Sequence, residues 1–182
     1  MQTVKSDQAT TYQGMVALGE HARGIKPDAN QVGKFEVIVV ESVQVLPATA
    51  AAHPKVAEEV KATLDTELRK QLQRRFPRAD GAAVSKRLVV RTRITSIAEA
   101  SPGLNIAMSL LVGPVSQGGL SIEVEAIDAS TGKQVALLLL ADKASISDFK
   151  KSYTRGGHAQ LVAGRFAVEA ADFLAPLGRA VP

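Results

Sequence analysis

Cysteine is absent from all 182 residues. That excludes disulfides and thiolate-bound zinc, while leaving an oxidising compartment open. Aromatic residues make up only 4% of the chain and tryptophan is missing, so the core must be aliphatic and rich in small side chains. No apolar run approaches the roughly 20 residues that cross a bilayer. The opening Met1-Gln2-Thr3-Val4-Lys5-Ser6-Asp7 is polar and reads as a tail, as a chain trimmed of its leader would. Catalytic signatures are also missing. There is no G-x-S-x-G elbow and no cysteine nucleophile. Thr131-Gly132-Lys133 echoes only the end of a phosphate-binding loop.

What is present is enough for one folded domain. Hydrophobic residues reach 46%, with Phe35, Phe76, Phe166 and Phe173 as candidate core anchors. The net charge is +4, with an isoelectric point near 9.5, which mildly favours anionic contacts.

Residues 1–33 hold five of the glycines and prolines, Gly14, Gly19, Gly24, Pro27 and Gly33, and no sustained period. They read as an irregular N-terminal arm, with residues 2 to about 11 a loose tether and with Tyr12, Met15, Val16 and Leu18 docking on the domain. Residues 34–178 read as a single domain. Apolar positions on both faces of residues 35–46 predict a buried strand, ended by Pro47.

Val56, Val60, Leu64, Leu68, Leu72 and Phe76 recur every four residues and predict a long amphipathic helix starting at Pro54. Asp65 and Arg69 stand in the favourable i,i+4 order. Residues 88–97 alternate as a strand, with Arg91 and Arg93 on one face. Residues 119–128 and 133–146 read as a hairpin around Asp128 to Gly132. Val162, Phe166, Ala170, Phe173 and Leu177 stripe a last helix. Residues 104–112 fit either a short helix or a loop, and are core or an exposed apolar contact.

The order β-α-β-β-β-α predicts an α+β two-layer sandwich: a mixed four-stranded sheet with two helices on one face. The first helix makes a right-handed crossover between parallel strands.

Three groups of residues could carry chemistry. His21, His53 and His158 lack ligand partners at three- or four-residue spacing and read as isolated surface histidines. Glu123 and Glu125 share a strand face about 7 Å apart, a spacing that suits acid/base work on a sugar; a solvated strand face explains them more simply. Arg69, Lys70, Arg74, Arg75, Arg78, Lys86 and Arg87, continuing into Arg91 and Arg93, form a basic cluster with Asp80 the only acid inside its span. It reads as a solvated helix end or as a surface for an anionic partner. Phe76 is the only aromatic among these bases and belongs to the helix stripe, which argues against nucleic acid. No residue pattern calls for a cofactor or metal.

The succession Leu104-Asn105, Gly118-Gly119, Val124-Glu125, then Asp128 with Thr131-Gly132-Lys133, resembles a family of bacterial lipoproteins known as domain of unknown function 3313. The likeness spans residues 12 to 177. It implies a signal peptide and a lipid-bearing cysteine upstream, a periplasmic location in the cell envelope and no established activity. The expectation is therefore a non-enzymatic envelope module, anchored by lipid, that binds an envelope protein or anionic surface and no nucleic acid. The rival readings are a glycan-acting enzyme using Glu123 and Glu125, and a basic nucleic-acid binder.

Overall fold

A computed structural model describes residues 2–76, 86–98, 119–143 and 157–179. Arg78, the side chain of His158 and residues 104–112 lie outside that set.

The elements run β1 (Val16–Ala17), β2 (Ala22–Ile25), β3 (Val37–Val40), β4 (Gln44–Val45), α1 (Pro47–Ala52), α2 (Pro54–Arg75), β5 (Arg87–Ala98), β6 (Gly119–Asp128), β7 (Gln134–Lys143) and α3 (Gly157–Leu174). All strands join one seven-stranded sheet in the order β1-β2-β7-β6-β5-β3, with β4 also on β5. The architecture is mixed α and β, as expected. The expected count of four strands is wrong, and the additions have two sources.

The first source is the N-terminal arm. Residues 1–33 are not wholly irregular: β1 and β2 form a hairpin, and β2 pairs antiparallel with β7. Gly24 permits this, because a Cβ there would sit 2.4 Å from the Leu137 carbonyl oxygen. Two- and four-residue strands with a central glycine leave no alternation to read in the sequence.

The second source is the strand expected over residues 35–46, which splits into β3 and β4, both parallel to β5. The split is sutured by helix α2. Arg69 donates to the Val40 carbonyl at 2.7 Å and to Asp65 at 2.7 Å, and Asp65 accepts the Val43 N–H at 3.0 Å. The Arg69 hydrogen bond chiefly holds the Asp65 carboxyl below its usual range. Segment β3 is also not buried on both faces. It ends the sheet's path and leaves Val39 42% exposed.

The rest follows the pattern. Helix α2 and the short α1 carry the chain from β4 to the parallel β5, and β5, β6 and β7 form an antiparallel meander. Asp128 anchors the hairpin turn, accepting the Ser130 N–H at 2.9 Å and its hydroxyl at 2.6 Å, while Gly132 takes φ +68°. Burial raises the Asp128 pKa, but the Ser130 hydrogen bonds and Lys34 outweigh it and hold the carboxyl low.

Val60, Leu64, Leu68 and Leu72 of α2 and Val162, Phe166, Ala170 and Leu174 of α3 are fully buried with Leu88, Val90, Ile94, Ile122 and Val124 of the sheet. Buried Ala163, Ala167 and Ala171 let α2 and α3 approach closely. A bulge between Ile94 and Ser96 shifts the parity of β5, so both Ile94 and Ile97 join this core. Phe35, Phe76 and Phe166 are buried as expected, and Phe173 is partly buried.

Candidate functional site

The opposite face of the sheet is polar at its centre. In β6, side chains alternate, so Ile122 and Val124 enter the helix-covered core while Ser121, Glu123 and Glu125 point the other way. The register sets Glu123 between Arg93 and Leu139, and Glu125 between Arg91 and Leu137. Neither glutamate lies on a solvated face, contrary to expectation: both are 0% exposed. A single nitrogen of Arg93, Nη1, donates to Glu123 at 3.1 Å and to Glu125 at 3.3 Å. Arg93 is itself only 6% exposed, and its Nε has no hydrogen-bond partner. The triad of one cation and two carboxylates carries formal charge −1. Such a group is costly to bury unless its remaining lone pairs find donors.

The donors come from the N-terminal segment. The residues expected to be a loose tether run across this face as a strap. Ser6 gives its backbone N–H (3.1 Å) and its hydroxyl (2.5 Å) to Glu123, and the Tyr12 hydroxyl adds a third bond at 2.6 Å. The Thr10 N–H donates to Glu125 at 2.7 Å, and the Val4 N–H to the Ser121 hydroxyl at 3.1 Å. That hydroxyl also bonds Thr95, the bulge residue, at 3.0 Å. Thr11 and Gln134 exchange a reciprocal pair of bonds, closing the strap's end. Asp7 sits at φ +59°, a left-handed kink that aspartate tolerates better than most residues. The Lys5 ammonium lies 4.8 Å from the Tyr12 ring centre. Burial, then the bond to Glu123, holds the Tyr12 phenol above its ordinary pKa of 10.0. Gln8 forms part of one wall of a neighbouring cleft of about 570 Å³, which is also lined by residues 41–47 and Lys61.

The basic cluster is largely paired. Acids distant in sequence meet it in the fold: Arg75 bonds Asp172 of α3, Lys86 bonds Glu36 and Arg91 bonds Glu41. Lys70 bonds Glu67 one turn away. The bonds from Lys86 and then Arg179 hold the Glu36 carboxyl low. Arg69 is committed to the strand suture and Arg93 to the buried triad. Arg74 and Arg87 are exposed. The cluster is therefore dispersed over several ion pairs. His21 bonds Glu169 at 3.0 Å, and His53 links α1 to α2. Among the described residues, no group of three potential metal ligands forms, and no helix is long and apolar enough to cross a membrane.

The sequence marks Tyr12 as a residue that docks on the domain, but nothing in it pairs Ser6 or Thr10 with the sheet. One cue existed: Arg91 and Arg93 share a face of β5, Glu123 and Glu125 share a face of β6, and the two strands are antiparallel neighbours. The strap has no such cue. Its partly buried residues, Thr3, Ser6, Ala9 and Tyr12, recur every third position but are mostly polar.

The chain as a whole has relatives. The chain belongs to the family described as Protein of unknown function (DUF3313), whose profile matches residues 6–170. Two solved structures of the PelC dodecamer from Paraburkholderia phytofirmans, one of them a single-residue variant, are similar in fold. Each has a TM-score of 0.51 and 16% identity, covering 87–88% of this chain and 98% of theirs. A hypothetical protein from Chlamydia trachomatis aligns with 11% identity over 76% of this chain and 97% of its own, at a TM-score of 0.42. No curated protein matches in sequence.

Proposed function

We propose that this chain is the folded domain of a bacterial cell-envelope lipoprotein, held to a membrane by a lipid anchor and facing the periplasm. It acts as a non-enzymatic binding or structural module whose partner is an envelope protein or an anionic envelope surface. The observation that carries the non-enzymatic part is the state of Glu123 and Glu125. An acid/base pair for glycan cleavage needs access to substrate and to water. Here one guanidinium bridges both carboxylates beneath a strap. The dispersal of the basic cluster into ion pairs weighs against a nucleic-acid groove, which needs a continuous positive track. The family resemblance supports the envelope location.

The full-length protein, expressed with its native leader, should incorporate a radiolabelled fatty acid and sediment with membranes. An unlabelled, freely soluble product would remove the anchor. The purified domain should release no reducing ends from isolated envelope glycan; saturable turnover would restore the enzyme reading.

A further inference from the structure

The strap and the face beneath it have the form of a ligand in a site. Along the middle of the sheet runs a polar trench made by Arg93, Ser121, Glu123 and Glu125, flanked by Leu137 and Leu139, both fully buried. What fills it is a kinked polypeptide segment, and much of the recognition is through the main chain: the N–H groups of Val4, Ser6 and Thr10 each donate into the trench. Main-chain recognition of this kind tolerates many sequences. The hydroxyls of Ser6 and Tyr12 add the side-chain component. The trench presents acceptors, and the strap answers with donors at every one of these contacts. The bound segment joins the body through an exposed turn at Gln13 and Gly14, where Gly14 has φ +81°. It can leave without moving a helix. Arg93 Nε, buried and unpartnered, marks bonding capacity that the strap does not use.

We propose that this trench is a receptor for a polypeptide segment of a partner that offers N–H and O–H donors, and that residues 4–12 occupy it in cis as an autoinhibitory strap. This rests on the reading of the chain as a binding module and names the surface that binds. A segment linked to its own site competes at millimolar effective concentration, so a free peptide must displace it. Displacement exposes Glu123, Glu125 and Arg93 together, and an incoming chain must supply N–H and O–H donors in their place.

The first test uses the unaltered chain. The amides of Ser6 and Thr10 should exchange with deuterium at least about 100-fold faster than that of Val124, through opening of the strap alone. Exchange at one common rate would make the strap a fixed part of the fold and overturn the proposal. The second test titrates a fluorescent peptide of residues 2–14 into the unaltered chain and into a Ser6→Ala, Tyr12→Phe variant. The variant weakens the strap and leaves the trench intact. Binding should be at least about tenfold tighter to the variant, equal to about 1.4 kcal/mol, and an unrelated peptide rich in serine and tyrosine should compete. If the variant loses its native circular dichroism, the same titration is run on the full chain cut at a protease site placed between Gln13 and Gly14. Equal affinity with and without a weakened strap would overturn the proposal. So would competition by envelope oligosaccharide but by no peptide. Failure here with fatty-acid labelling intact removes the trench and leaves the envelope module.

Discussion

The two faces of the sheet are covered in different ways. On one face, α2 and α3 lay down a continuous apolar layer in which Leu64, Leu68 and Phe166 are fully buried. On the other, a segment without regular structure covers an ion triad by donating hydrogen bonds. The first cover is held by area, which is non-directional and shared by many residues. The second is held by a few directional bonds to charges. The first should therefore fail only with the whole fold, whereas the second should open alone.

The largest single effect should come from the strap side. Arg93→Met leaves two carboxylates in the trench without their cation, and breaking a buried pair in this way costs about 3–5 kcal/mol while the site stays closed. Chemical denaturation should show the loss, and amide exchange at Ser6 and Thr10 should accelerate with it. An unchanged strap would mean the two covers are equally rigid.

Next comes the helix side. Leu64→Ala or Leu68→Ala should cost about 2–5 kcal/mol and shift every probe together, including the strap. A loss below about 1 kcal/mol at both positions would show that the stripe is not the fold's main support.

Tyr12→Phe should be milder, about 1 kcal/mol, because the hydroxyl it removes is only partly buried and Glu123 keeps its donors from Ser6 and Arg93. In the unaltered chain the raised Tyr12 pKa gives a pH signature. The neutral phenol is favoured when docked, so its contribution is complete below about pH 10 and is lost as pH rises through the raised value. Strap amides should lose protection in that alkaline range before β6 does. Simultaneous loss would again remove the contrast. The smallest effect belongs to the basic cluster: Arg74→Gln, at an exposed position, should stay within about 0.5 kcal/mol by thermal denaturation.

The contrast also explains what could be read in the chain. The four-residue stripe of α2, the alternation in β5 and β6, and the turn at Asp128 and Gly132 are local periodicities, and each predicted its element. The Asp65–Arg69 pair was visible as a helix pair, but its role in holding the β3–β4 break was not. Three of the acids that pair the basic cluster, Glu36, Glu41 and Asp172, are far away in sequence.

By itself, the sequence determined the helix-covered half: apolar residues repeat at the helical and strand periods, and burial of that surface forces those elements together. Tertiary structure alone decided the other half. Whether Glu123 and Glu125 meet water or a guanidinium depends on strand register, and whether Ser6, Thr10 and Tyr12 are free or docked depends on donors placed more than 100 residues from their acceptors. Hydrogen bonds between such distant polar groups leave no period in a chain, because the chemistry of each residue is the same whether its partner is water or protein.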